Sequence, residues 1–249
     1  MEGDRQRAQA RPHLMKREYR SWQSPALGRP MELLVFGDRG MPVIVFPTSM
    51  GRFYQWEDFG MVAHLGSRID AGYLQLWCID SVDSESFYDS ARSPQDRARR
   101  HLEYERYVLE EVVPAITEAN PDPYRCLIGA SFGALHALLF TLRYPELARK
   151  IVCLSGAFDT SRWLDGSHDG DAYYLDPLAF LPGLTDERYL APLRQAEIII
   201  ATGDEDANAH ESRVVAALLQ QKGVPAALHL WRGWAHDWPY WKEMVDVFL

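Results

Sequence analysis

The chain has 249 residues, 47% of them hydrophobic and 24% charged, with a formal net charge of −9. That size and balance suit one large globular domain spanning 1–249 with a substantial core. The acidic balance argues against a nucleic-acid footprint and against docking on an anionic membrane, and no apolar run approaches the length of a membrane span.

Residues 1–20 mix acidic and basic side chains without an apolar stretch, so they do not read as a secretory signal. Fraying is expected as far as Arg11. Residues 18–22 and 31–36 then read as an opening strand pair, joined by a turn containing Pro25 and Gly28. The runs 43–46 and 74–79 are short and apolar, as buried strands are. Residues 94–119 read as a long helix with an apolar stripe through Leu102, Val108, Leu109 and Val112, and Pro114 predicts a kink or a fresh start within it. Strands follow at 125–128, 150–155, 197–201 and 226–231, with helices at 210–222 and 238–249. Strands alternating with helices predict an α/β fold: a sheet of about eight strands, mostly parallel, flanked by helices and carrying one antiparallel edge.

Residues 157–194 break this rhythm. They are too long for an ordinary connection, hold Trp163, Tyr173, Tyr174 and Phe180, and predict a lid over the top of the sheet. The three cysteines, Cys78, Cys126 and Cys153, each fall in a predicted strand. An odd number of buried thiols reads as reduced and unreactive, and the location expected is cytoplasmic.

Gly129-Ala130-Ser131-Phe132-Gly133 carries most of the functional information. It places a serine between glycines where a strand ends and a helix begins, the sequence form of a nucleophile elbow. The turn is so tight that positions two before and two after the serine must lack bulk. A serine hydroxyl needs a base, and the base needs an acid to hold its tautomer. With this elbow the partners follow in the order serine, acid, histidine. The loop after 197–201 reads Gly203-Asp204-Glu205-Asp206, and Gly203-x-x-Asp206 spacing favours Asp206 over Asp204 as the acid. The loop after the last strand supplies His236. Of two N–H donors required for an oxyanion, Phe132 follows the nucleophile, and the other belongs to the loop after 43–46, with Thr48 expected and Ser49 in reserve.

With Phe46-Pro47-Thr48, Gly51-Arg52-Phe53-Tyr54-Gln55-Trp56-Glu57-Asp58, the elbow and Gly233-Trp234-Ala235-His236-Asp237-Trp238 in place, the chain resembles the Putative esterase family of α/β-hydrolases. That group is related to esterase D (S-formylglutathione hydrolase), feruloyl esterases and mycolyltransferases. The resemblance implies an α/β-hydrolase fold, no metal or organic cofactor, and Ser131, Asp206 and His236 as the carried-over residues. Where relatives commonly have a His-Gly pair after 43–46, this chain has Phe46-Pro47.

Phe53, Trp56 and Trp234 are expected to line an apolar substrate pocket, aided by Phe87 and Tyr88. Asp80, Asp83 and Glu85 are expected to make its rim negative. Asp165 to Asp176 superficially matches a calcium loop but lacks flanking helices and ends in aspartate, so it reads as a polar lid turn. The function expected is a carboxylesterase on small or medium acyl esters, working through an acyl-enzyme. The partner is a small-molecule ester, with no nucleic acid, no membrane, and a homodimer left open. The alternatives are an acyltransferase or peptidase with the same residues, or an inactive hydrolase fold kept as a binding module.

Overall fold

The computed structural model describes residues 15–249; the fraying expected up to Arg11 lies outside them. Eight strands form one sheet in the order β1-β2-β4-β3-β5-β6-β7-β8. They are β1 Arg17–Ser24, β2 Arg29–Phe36, β3 Met41–Phe46, β4 Leu74–Ile79, β5 Cys126–Ala130, β6 Lys150–Leu154, β7 Glu197–Gly203 and β8 Ala226–Trp231. β1 runs antiparallel to β2, and β2 antiparallel to β4; every other pairing is parallel. The expected mostly parallel α/β-hydrolase sheet is therefore present. β3 and β5 occupy its middle, which places the elbow at the centre of the upper edge.

The strands carry near-continuous apolar runs because both faces are covered. On one face, Ile44, Phe46, Leu127 and Ile198 pack against α1 Pro94–Tyr107, α3 Phe132–Arg143 and α4 Ala209–Gln221. On the other, Val43, Val45, Ile128 and Ile199 meet the turns around Trp56 and Met61 and the closing helix α5 Trp238–Phe248. Each fully buried aliphatic or aromatic side chain stabilises the fold by about 1.5–3 kcal/mol against its exposed state.

Local signals explain the helix boundaries. Ser93 caps α1 by accepting the Asp96 N–H at 3.1 Å, and Pro94 fills the first helical position. The long helix expected over 94–119 is one path in three parts: α1, a π-helical turn over Val108–Val112, and α2 Val113–Ala119. Pro114 accounts for the wide turn, because it has no N–H to donate backwards and its ring would press on the carbonyl four residues earlier.

The segment 157–194 forms a series of short helical turns rather than an ordinary connection. Its Trp163 lies edge-on to Phe132, with ring centroids 4.7 Å apart, which brings this segment beside the elbow. The calcium-like stretch is tied up in structure: Asp165 pairs with Arg97, and Asp176 caps a helical turn by accepting the Leu178 N–H. Among the described residues, no helix is long and apolar enough to cross a membrane. Cys78, Cys126 and Cys153 are free and buried in β4, β5 and β6, and burial pushes the Cys126 thiol up to about 12.

Candidate active site

The elbow is built by missing side chains. A Cβ on Gly129 would sit 2.2 Å from the Gly133 carbonyl group, and one on Gly133 would sit 2.5 Å from the Pro47 oxygen. Strand, helix and the loop after β3 can meet only because both are glycine. Ser131 adopts φ 55° and ψ −118°, a conformation that costs a non-glycine residue about 1–3 kcal/mol. Its N–H donates to the Leu154 carbonyl at 2.8 Å, which holds the turn against β6.

The loops after β7 and β8 are laced together. Asp204 and Glu205 donate backbone N–H bonds to Trp231 and Gly233, at 2.8 and 3.0 Å. The Asp204 carboxylate accepts the Gly233 N–H at 2.6 Å. A Cβ on Gly203 would lie 2.2 Å from the Trp234 oxygen, so glycine is needed where the loops touch. Asp204 is thus occupied as a strut, and Asp206 faces the histidine.

His236 Nδ1 lies 2.8 Å from Asp206 Oδ2, and His236 Nε2 lies 3.1 Å from Ser131 Oγ. Asp206 is 6% exposed. Burial opposes its charge, but hydrogen bonds from His236, the Asn208 N–H and the Thr202 hydroxyl outweigh burial and lower its pKa below the ordinary carboxylate value. An ionised Asp206 can only accept, so Nδ1 carries the proton and Nε2 is left to accept the serine hydroxyl.

Support for the imidazole extends further than the sequence revealed. Ala235, just before His236, has φ 46°, and its carbonyl accepts the Ser155 hydroxyl at 3.1 Å. Trp241 Nε1 in turn donates to that hydroxyl at 3.1 Å. Trp241 also lies edge-on to His236 at 5.5 Å, while Trp234 lies over it at 5.9 Å and remains 53% exposed. Nothing in the sequence marks Ser155 beyond its position at the end of the expected strand 150–155.

Several expected positions fall elsewhere. The Thr48 N–H is not available as a donor, because it is bonded to Gln55 Oε1 at 2.8 Å while Gln55 Nε2 returns a bond to the Thr48 hydroxyl at 2.7 Å. Ser49, the reserve, is the next N–H along the loop and has no protein partner among the described residues. Trp56 does not line a pocket. It is 1% exposed and packs against Trp238 in the core, since the helical turn Gln55–Asp58 points it down onto the sheet. Phe53 is likewise buried, against Tyr54 and Tyr19. Phe87 and Tyr88 pack edge-on around the Phe132 ring.

The three carboxylates expected to form a negative rim are paired. Asp80 is buried and pairs with Arg52 at 2.7 Å, Glu85 pairs with Arg29 at 2.8 Å, and Asp83 is buried against His136. Asp80 and Asp83 are buried with their partners, and Glu85 is half-buried, held by Arg29 and Arg100.

Fold and site together place the chain among the α/β-hydrolases with a serine–histidine–aspartate line above the sheet. The family model described as Putative esterase matches residues 24–247, and the chain belongs to that family. Among solved structures it is similar to a ferulic acid esterase, at 15% identity and a TM-score of 0.75, covering 95% of this chain and 97% of that one. It is also similar to the S-formylglutathione hydrolase of Staphylococcus aureus, at 16% identity and a TM-score of 0.71, covering 96% of each chain. A curated relative, an L-serine/homoserine O-acetyltransferase of Streptomyces lavendulae, is 28% identical over 98 residues, 37% of this chain and 26% of that protein. This chain thus spans about a quarter of that relative's length.

Proposed function

We propose that Ser131, His236 and Asp206 are the catalytic triad of a carboxylesterase acting on small or medium acyl esters in the cytoplasm. The observation that carries this reading is the unbroken line of hydrogen bonds, at 3.1 and 2.8 Å, from Ser131 through His236 to a buried, ionised Asp206. Ser131 Oγ attacks the ester carbonyl while His236 Nε2 takes its proton, and Asp206 stabilises the imidazolium. The Phe132 and Ser49 N–H groups hold the oxyanion, and Phe132 is suited because the first N–H groups of α3 have no partner within the helix. His236 then protonates the departing alcohol. Water, deprotonated by the same nitrogen, attacks the acyl-enzyme and releases the acid.

Of the substrate-binding expectations, Trp234 is retained, since it is exposed and lies over the imidazole where a leaving group would pass. Three free, buried thiols support a reducing compartment. Acyl transfer to an alcohol is the second reading, favoured by the partial match to an O-acetyltransferase; it differs only in whether water or an alcohol meets the acyl-enzyme. A complete, hydrogen-bonded triad argues against the inactive binding module.

The test is turnover of p-nitrophenyl esters of graded chain length by the purified protein, with products analysed in the presence and absence of L-serine or L-homoserine. Ester hydrolysis, fastest for short to medium chains, is the expected result. Dominant formation of an O-acyl amino acid would favour the second reading, and no turnover with any ester would remove both.

A further inference from the structure

We infer that the buried Asp83–His136 pair is a positioning device that fixes the oxyanion loop of this site. The inference rests on the esterase reading above, in which the Ser49 and Phe132 N–H groups receive the oxyanion.

Thr48-Ser49-Met50-Gly51 forms a turn closed by the Gly51 N–H donating to the Thr48 carbonyl at 2.8 Å. Its third residue, Met50, has φ 57°. A left-handed residue at that place is the mark of a type II turn, which favours glycine there. Methionine has no such freedom and costs about 1–2 kcal/mol in that conformation, so the sequence alone would tip the turn toward type I. The two forms differ by a half-rotation of the central peptide, the one carrying the Met50 N–H. That N–H donates to Asp83 Oδ2 at 3.0 Å. The carboxylate thereby selects the orientation that the side chain at 50 disfavours.

Asp83 is held in turn by His136, whose Nε2 lies 3.0 Å from Asp83 Oδ1, and each side chain is 1% exposed. His136 stands one helical turn beyond Phe132 on α3, and its ring meets the Phe132 ring edge-on at 5.0 Å. Phe46 and Tyr104 pack on it, and His101 stacks behind it at 5.2 Å. The imidazole therefore has no room to turn away. One pair of residues, 53 positions apart in sequence, links the helix that supplies the first N–H donor to the loop that supplies the second. The Thr48–Gln55 bond pins the peptide before the donor, and Asp83 pins the peptide after it.

His136→Phe keeps an aromatic ring in the packing and removes the hydrogen bond to Asp83. His136→Gln restores an N–H that can reach the carboxylate. Met50→Gly in the His136→Phe background makes the left-handed turn residue free of strain, so that the loop no longer needs Asp83 to hold it. The readout is steady-state hydrolysis of a p-nitrophenyl ester, with kcat counted per site from the stoichiometry of fluorophosphonate labelling. His136→Phe should lower kcat per labelled site by about ten- to a hundredfold with KM changed by less than about twofold. The Gln variant and the Met50→Gly double variant should each recover to within about threefold of wild type. A Phe variant with wild-type kcat per site, or one that loses only the number of labelled sites, overturns the inference. So do rescue variants no faster than His136→Phe alone. A wild type that neither turns over esters nor labels would overturn the esterase reading, and this inference with it.

Discussion

Replacing Ser131 with alanine is expected to lower ester hydrolysis by about ten-thousandfold or more, while the circular-dichroism spectrum and melting midpoint stay at wild-type values. The chemical effect is large because the oxygen removed is the one that forms the acyl-enzyme. Without it, His236 can only direct water at a carbonyl that nothing has captured. The structural effect is small because, among the described residues, Ser131 Oγ makes one hydrogen bond, to His236 Nε2 at 3.1 Å. Alanine keeps the same Cβ at the same φ of 55°, so the strain of the elbow is unchanged. A loss of activity accompanied by unfolding would point to a structural serine, and retained turnover would remove it from the chemistry.

Asp206→Asn should lower kcat by about a thousand- to ten-thousandfold. The amide that replaces the carboxylate can present N–H to the ring, which drives the imidazole proton onto Nε2 and points it at the nucleophile. The anion that steadies the imidazolium is lost as well. The three bonds that now hold the carboxylate, from His236, the Asn208 N–H and the Thr202 hydroxyl, show how strongly this position is built for an acceptor. Asp204→Asn is the control. Asparagine retains an acceptor oxygen for the Gly233 N–H, so turnover should stay within about threefold of wild type. If the two variants exchange these outcomes, the acid has been assigned to the wrong residue of the loop.

Which parts of this site could be read from the chain depends on how local their causes are. The elbow is legible because a single tight turn forces glycine at 129 and 133, and that requirement shows in five consecutive letters. Asp206 and His236 are legible because strand order places the loops after β7 and β8 above the same sheet edge. Spacing favours Asp206 over Asp204, and the different places of the two appear only in space, where Asp206 meets His236 and Asp204 ties down Gly233. That the Thr48 N–H is taken is not legible, because the side chain that occupies it belongs to Gln55, and no pattern in the sequence distinguishes a glutamine that turns back from one that faces water. Trp56 and Phe53 illustrate the same limit for aromatics. A tryptophan beside a catalytic loop looks alike whether a helical turn aims it at a substrate or at the core beneath. Asp80, Asp83 and Glu85 suggested a charged rim, yet their partners Arg52, His136 and Arg29 come from other elements and neutralise or bury them.

On the proposed reading the hydroxyl of Ser131 is an activated nucleophile. A fluorophosphonate tests this most directly, because it reacts with a serine only where a base removes the proton and N–H groups receive the developing charge. Intact-mass and peptide-level spectrometry of the wild-type protein should show one adduct per chain, located on Ser131 and missing from the Ser131→Ala variant. Wild-type protein that is folded yet takes up no probe, or carries it on another residue, would contradict the account.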